Sequence, residues 1–280
     1  MVLSMDLNAV FAAQAIICNA TGATTMKQDS LAAEQFGLTA HAYLSSSVHS
    51  QGTDLQRLTA LARSRRSPIA LDLGCGAGHA GFAMAQGGAQ VTAYDLSTEM
   101  LAVVDGEIEC RGMAGMRTQQ GRAERLPFAD ASFDLIATRF SAHHWTDVSA
   151  ALREVRRVLR ADATLVVIDA VAPEAALFDT LLQTVELLRD ASHVRDYRVS
   201  EWTAMLQAAD FAPPAVDTWT LPMEFATWVL RMRTPALRVE AIRDVLARAA
   251  DEATRHFRIQ SDGSFKLDVA WLQTQPRTQA

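Results

Sequence analysis

The segment with the clearest chemical meaning is a glycine-rich stretch directly after a short apolar run. Gly74, Gly76 and Gly78 alternate with small residues behind the apolar run 69–73, and a helical pattern follows. Glycines let a backbone turn sharply and approach a ligand closely, and the first turn of a helix offers free N–H groups. The segment predicts a loop that binds the polar part of a cofactor. A tight strand-to-helix turn without a ligand is the alternative.

An acidic residue follows where such a loop needs one. Asp95 ends the second predicted strand, 91–94, just before the helix cap Ser97. In doubly wound α/β folds an acid at this position accepts hydrogen bonds from ribose hydroxyls. A turn residue without a ligand is the alternative, and the neighbouring glycine loop favours the ribose.

The loop departs from two familiar phosphate-binding sequences. The dinucleotide fingerprint G-x-G-x-x-G needs Gly or Ala where this chain has His79. A P-loop needs a Gly-Lys pair, and the sequence contains none. A nicotinamide-dependent oxidoreductase is therefore disfavoured but stays open as an alternative.

Two adjacent histidines form a second candidate centre. His143 and His144 follow the apolar run 133–140, at the carboxyl edge of the predicted sheet, where open α/β folds bind ligands. An imidazole there can deprotonate a hydroxyl, amine or carbon acid, so at least one of them is predicted to act on substrate, with His143 preferred. A structural pair is the alternative. No third ligand stands at a helical offset, so no metal site is predicted.

A parallel sheet is needed to bring these residues together. Apolar runs alternate with helical patterns, which is typical of an α/β fold with crossover helices. The predicted strands are 69–73, 91–94, 116–120, 133–140, 164–171, 216–221 and 265–272. Thr53 and Gln56 predict a capping box, and a helix is predicted over 147–160. A terminal hairpin is predicted to join 257–259 to the last strand.

Composition narrows the function classes. The 280 residues are 49% hydrophobic and 21% charged, which is enough apolar material for a core and argues against global disorder. The net charge of −6 disfavours a nucleic-acid partner, which normally meets a basic excess. No apolar stretch is long enough to predict a transmembrane segment.

The cysteines and the first 25 residues indicate the cellular compartment. Cys18, Cys75 and Cys110 have no C-x-x-C spacing, so neither a disulfide framework nor a cysteine zinc site is predicted, and a reducing, cytoplasmic location is expected. Residues 1–25 are predicted to be a disordered extension. Their apolar part lacks the basic start and cleavage site of a signal peptide.

Five segments together resemble the class I S-adenosylmethionine-dependent methyltransferases, in the type 11 branch similar to ubiquinone/menaquinone-biosynthesis C-methyltransferases. They are 72–78, 93–97, 123–128, 132–135 and 152–159. The resemblance implies a Rossmann-like α/β fold with a seven-stranded, mostly parallel sheet, an antiparallel last strand and helices on both faces. It implies a single domain over 26–280, and its parts are a helical lid (26–66), a cofactor-binding core (67–172) and a substrate-side half (173–280) with a helical insert near 225–251.

The resemblance also implies a set of cofactor-binding residues. They are Tyr43, Asp72, Gly74, Gly76, Gly78, Asp95, Leu96, Met100, Arg122, Ala123, Glu124 and Arg139. Among these, Asp72 helps hold the amino end of the cofactor, Asp95 takes the ribose, and Leu96 and Met100 flank the adenine. Arg139 stands where family members often have a smaller polar residue, and an ion pair near the cavity mouth is its alternative role.

The reaction implied is methyl transfer from S-adenosyl-L-methionine to a nucleophilic O, N or C atom of a small molecule, with S-adenosyl-L-homocysteine as product. A quinol- or phenol-like molecule is one candidate acceptor. A cofactor-binding protein without catalysis is a further alternative, and the oligomeric state is not predicted.

Overall fold

The computed structural model describes residues 27–37 and 52–277. The helices, numbered along the chain, are α1 (Gln28–Gly37), α2 (Thr53–Arg63), α3 (His79–Gln86), α4 (Thr98–Arg111), α5 (Val148–Val158), α6 (Ala176–Arg189), α7 (Val199–Ala208), α8 (Phe225–Arg231), α9 (Ala236–Ala247) and α10 (Asp251–Phe257). The strands are β1 (Ile69–Leu73), β2 (Gln90–Asp95), β3 (Met116–Gln120), β4 (Phe133–Arg139), β5 (Leu159–Ala170), β6 (Ala215–Met223) and β7 (Phe265–Thr274). Tyr43 and the predicted extension 1–25 lie outside the described residues.

The strands form one sheet in the order β3-β2-β1-β4-β5-β7-β6. The strands from β3 to β5 pair in parallel, whereas β7 pairs antiparallel with β5 and with β6. This confirms the predicted fold class. The chain turns from β1 to β2 on one side and later returns to β4 on the other, so a crevice opens at the carboxyl ends of β1 and β4. The glycine loop follows β1 and the two histidines follow β4.

The central strands are buried on both faces, which explains their continuous apolar character. In β1, Leu71 and Leu73 pack with Leu152 and Val155 of α5 on one face. Ala70 packs on the other face, in a cluster with residues of α2, α3 and α4. A third cluster joins α6 to the helical insert α8–α10 and includes Trp228. Helices therefore cover both faces of the sheet, and the insert predicted near 225–251 is present and ends at Phe257.

The predicted terminal hairpin is wrong. Phe257 ends α10, and its ring packs against Phe178 of α6 at 6.3 Å between centroids. The last strand pairs instead with two strands that are distant in sequence, through registers such as Ile168↔Trp271 and Val216↔Leu272. Because β7 has a partner on each side, it buries more backbone and side-chain surface than a terminal hairpin could.

Two predicted helix ends are also wrong. The capping box at Thr53 does not form, because Gly52 is the N-cap residue and no side chain caps the helix. The helix predicted over 147–160 ends at Val158, where the chain passes directly into β5. In the described part of the chain, no helix is both long and apolar enough to cross a membrane.

Candidate functional site

A first cavity opens at the carboxyl edge of the sheet, beside α1, which contributes Ala32 and Phe36 to its wall. It brings together the described residues that were predicted to bind a cofactor, with the exception of Gly78. They are Asp72, Gly74, Gly76, Asp95, Leu96, Met100, Arg122, Ala123, Glu124 and Arg139.

The three glycines of the loop have different surroundings, although all have positive φ angles. A side-chain carbon at Gly74 would overlap the hydroxyl of Ser141, and one at Gly78 would lie 3.0 Å from Phe82 and Val104. At Gly76, with a φ of +49°, no described residue other than its chain neighbours comes within 4 Å of that position. Gly76 therefore exposes its backbone to the first cavity, whereas Gly78 serves packing at the start of α3.

We expect the variant Gly76→Ala to weaken binding of S-adenosylhomocysteine about tenfold or more, because its methyl group enters the space that a ligand needs. Gly88 is a matched control, since it also has a positive φ and open surroundings but lies outside the cavity. Gly88→Ala should show the same backbone strain, about 1 kcal/mol in the free energy of unfolding, without the loss of affinity. Calorimetric titration and thermal melts measure both. Equal affinities for the two variants would contradict a ligand at Gly76.

Asp95 joins the glycine loop to the helix that follows β2. Its carboxylate accepts hydrogen bonds from the backbone N–H of Gly76 at 2.8 Å and of Ser97 at 2.9 Å. Burial raises its pKa above the ordinary value. Each carboxylate oxygen keeps a second lone pair, so the group can also accept hydrogen bonds from a vicinal diol at the cavity wall.

Asp72 lies beneath the same loop and is 1% exposed. One carboxylate oxygen, Oδ2, accepts a hydrogen bond from the N–H of Gly81 at 2.7 Å, while Oδ1 is buried with no hydrogen-bond partner among the described residues. Burial raises the pKa of Asp72 to about 7. A buried acceptor without a donor is unfavourable unless a ligand supplies one. A cationic amino group, such as that of S-adenosylmethionine, fits this requirement.

The side chain of Arg122 holds α1 in place through an ion pair with Asp29. The backbone carbonyl of Arg122 accepts a hydrogen bond from the Tyr94 hydroxyl at 3.2 Å. Glu124 accepts hydrogen bonds from the N–H of Thr146 at 3.1 Å. These contacts keep the loop after β3 against the first cavity and leave its backbone as the part that can face an adenine.

Arg139 forms an ion pair at the cavity wall. Its Nε lies 2.5 Å from Oδ2 of Asp54, and both side chains are 6% exposed. The pair fastens α2 to the end of β4, which is the alternative role that the sequence left open. The sequence offered no signal for Asp54 as the partner.

His143 is held by an acid on the neighbouring strand. Its Nδ1 donates a hydrogen bond to Oδ1 of Asp169 at 2.6 Å. Burial by itself lowers the pKa of His143, but the charge and hydrogen bond of Asp169, together with the charges of Asp196 and Glu186, raise the pKa to about 9. Asp169 was not among the predicted site residues, although an acid inside the apolar run 164–171 is a visible signal. Together the two side chains form an oriented acid–base pair.

His144, unlike His143, is uncharged at neutral pH. Its Nδ1 lies 3.1 Å from the carbonyl oxygen of Ser192, which can only accept, so the neutral ring carries its proton on Nδ1 and its lone pair on Nε2. Burial and the positive charge of His143 lower the pKa of His144 to about 4. Its ring packs edge-on against Phe36 at 4.7 Å between centroids. An uncharged His144 thus separates two adjoining cavities.

The second cavity adjoins the first at three shared residues, Phe36, Phe140 and His144. Its remaining wall combines apolar and ionisable side chains, which are His143, Ala170, Glu186, Arg189, Asp190, Asp196, Leu221, Met223, Trp228, Arg231 and Leu267. His143 follows β4, and the other residues come from β5, β6, β7 and the segments between them. Within the described ranges no group of histidine, cysteine or acidic residues could hold a metal ion.

Comparisons with known proteins agree with this geometry. Residues 71–167 match the family described as a methyltransferase domain. The uncharacterized protein YafE of Escherichia coli is 47% identical over 188 residues, which cover 67% of this chain and 91% of that protein. The uncharacterized methyltransferase YcgJ of Bacillus subtilis is 38% identical over 224 residues, covering 80% and 88%. The crystal structure of YcgJ has a TM-score of 0.77 at 37% identity and covers 81% of this chain and 99% of that one.

A more distant likeness is confined to part of the chain. The demethylmenaquinone methyltransferase of Chlorobaculum parvum is 34% identical over 109 residues, which cover 39% of this chain and 43% of that enzyme. The comparisons do not favour the oxidoreductase alternative. The chain belongs to the S-adenosylmethionine-dependent methyltransferases, and it is an enzyme with S-adenosylmethionine as its cofactor.

Proposed function

We propose that this enzyme methylates a small phenol- or quinol-like molecule held in the second cavity. The observation that carries the proposal is the junction of the two cavities at His144, with the His143–Asp169 pair on the acceptor side. Apolar walls such as Trp228 and Leu267 suit an aromatic ring, and the ionisable side suits its hydroxyl group. The partial likeness to a demethylmenaquinone methyltransferase supports the same class of acceptor.

The cofactor supplies an electrophilic methyl group on a positively charged sulfur when it is bound. The chain's own residues then have two tasks, alignment and proton removal. Alignment in a dry site can be worth roughly 7–11 kcal/mol of the barrier. The neutral imidazole of His143, held by Asp169, accepts the proton of the acceptor hydroxyl. Asp169 is a positioning residue, since it fixes the ring through Nδ1 and leaves Nε2 as the base.

His144 contributes by remaining uncharged. A cationic ring at the junction would repel a sulfonium, and the low pKa of His144 prevents this throughout the neutral range. Its Nε2 lone pair can accept a hydrogen bond from the acceptor hydroxyl, which would aim the oxygen at the first cavity.

Helix α1 is placed to close the site. The amide of Gln28 donates to the carbonyl of Ser192 at 2.5 Å, and that of Gln35 donates to the carbonyl of Met232 at 2.7 Å. These bonds tie α1 to the substrate-side half of the chain, and its Phe36 lines both cavities. The helix therefore serves to exclude water and to hold cofactor and acceptor in register.

Incubation with S-adenosylmethionine and a panel of phenols and benzenediols under a reductant tests the proposal. We expect formation of S-adenosylhomocysteine that depends on the acceptor, with a product one methyl group heavier by mass spectrometry. A matched panel of aromatic amines and carboxylic acids of the same size should give little product. Turnover with those acceptors alone would refute a phenolic substrate.

A further inference from the structure

One carboxyl oxygen in the wall of the second cavity has no hydrogen-bond partner among the described residues. Asp196 lies in the segment between α6 and α7, its side chain is 2% exposed, and it lines the second cavity but not the first. Its Oδ2 atom is buried and has no hydrogen-bond partner among the described residues. Buried carboxyl oxygens are normally paired, so an orphan at a cavity wall points to a donor that a ligand supplies.

The nearest histidine does not satisfy this oxygen. Nε2 of His193 lies 4.0 Å from Oδ2 of Asp196, beyond hydrogen-bond distance. The proton on that nitrogen points instead to Oε1 of Gln183 at 3.0 Å. Burial and the charge of His143 lower the pKa of His193 to about 2, so it also offers no positive charge.

The position of Asp196 is nevertheless well determined. Its N–H donates to Oε1 of Gln183 at 3.2 Å, and its carbonyl accepts from Nε2 of the same side chain at 2.8 Å. Gln183 also bonds to Asp179 of the same helix at 3.0 Å. These two hydrogen bonds to one side-chain amide fix the backbone of Asp196 at the wall of the second cavity.

The charges around Asp196 indicate which kind of donor fits. His143 and Arg189 act on it as positive neighbours, and Glu186 and Asp169 as negative ones. The neighbouring charges are therefore of both signs and do not by themselves favour an ammonium group. A neutral hydroxyl can donate to the unpaired oxygen without adding a charge to a buried site.

We propose that Asp196 binds a second hydroxyl group of the acceptor, in the part of the second cavity that the cofactor cavity does not share. The acceptor is then a ring compound with two hydroxyl groups, one at the His143–Asp169 pair and one at Asp196. This inference rests on the proposed function, and it adds a specificity-determining residue that selects benzenediols over monohydroxy phenols.

Binding, rather than turnover, provides the test. Protein saturated with S-adenosylhomocysteine is titrated with phenol and with 1,2-, 1,3- and 1,4-benzenediol under a reductant, by calorimetry or ligand-observed NMR. We expect at least one diol to bind about tenfold more tightly than phenol. Equal affinities, or no binding of any of the four, would overturn the inference.

Two variants assign the preference to Asp196. Asp196→Leu should abolish the preference for diols over phenol and leave the affinity for S-adenosylhomocysteine unchanged. Its melting temperature should not fall, because the substitution removes a buried unpaired carboxyl oxygen. Asp196→Asn should keep part of the preference, since its carboxamide oxygen still accepts a hydrogen bond. Asp196→Ala replaces the leucine variant if that one does not fold. A diol preference that survives in the leucine or alanine variant would refute the role of Asp196.

The same samples separate the two proposals. Diol binding that depends on Asp196 without methylation of any diol refutes the proposed function and leaves this inference standing. Methylation of phenol and diols with equal affinity refutes this inference and leaves the proposed function standing.

Discussion

Replacing His143 with Gln is expected to lower turnover about 100-fold or more while binding of S-adenosylhomocysteine stays nearly unchanged. Glutamine has a similar length and can still donate a hydrogen bond to Asp169, but it cannot accept a proton. Because His143 lines the second cavity and not the first, cofactor affinity should be spared. Single-turnover rates and calorimetric titration give the two quantities.

A neighbouring histidine offers a matched control. His193 is also buried and lies 5.9 Å from His143 between ring centroids, yet it lines neither cavity. His193→Gln should therefore retain most of the turnover. If His143→Gln lost cofactor affinity and turnover in equal measure, general-base catalysis would be wrong and alignment alone would explain the rate.

The pH dependence of turnover follows from the His143–Asp169 pair. The active base is the neutral imidazole of His143, which predominates only above its pKa of about 9. Turnover should rise with pH through about 9, so that at pH 7 roughly one enzyme in a hundred holds the base form. An unperturbed imidazole would instead give an inflection near ~6.5.

The free energy of unfolding should fall as the pH rises, whereas turnover should increase. The pKa of His143 is higher in the folded protein than its ordinary value of 6.5, so the pair with Asp169 contributes its full stability below about pH 6.5. That contribution is lost as the pH rises towards 9. Asp169→Asn should remove this dependence and move the inflection of the rate to lower pH, which pH-dependent melts and rate profiles measure.

Asp95→Ala is expected to weaken binding of S-adenosylhomocysteine by about 1–3 kcal/mol, which is roughly 5- to 150-fold. The change removes the charged acceptor for two ribose hydroxyls. It also leaves the N–H groups of Gly76 and Ser97 without their acceptor, so the glycine loop loses its tether to α4. Asp95→Asn keeps one acceptor oxygen and should lose less.

A carboxylate on α4 provides the control for this prediction. Asp105 accepts a hydrogen bond from Thr118 at 2.9 Å and lies outside both cavities. Asp105→Ala should leave the affinity for S-adenosylhomocysteine unchanged. Unaltered affinity in Asp95→Ala would show that the acid at the end of β2 does not hold the ribose.

The sequence by itself determined the glycine loop with its flanking strand and helix, because these depend on neighbouring residues. A buried strand, a glycine turn and a helix N-terminus lie within residues 69–86, so their types and order suffice to predict their geometry. The position of Asp95 beside this loop was also predictable, since parallel strands place their carboxyl ends at one edge of the sheet. The alternation of apolar runs with helical patterns likewise determined the α/β class.

Only the tertiary structure decided which distant residues meet. Two ion pairs join separate elements, Arg139 with Asp54 and His143 with Asp169. They could not be predicted, because local propensity does not rank one carboxylate above another as a partner. The hairpin prediction failed for the same reason, because β7 is stabilised by two strands distant in sequence. The unpaired Oδ2 atom of Asp196 is also a property of packing, since only the arrangement of its neighbours shows that no donor of the described residues reaches it.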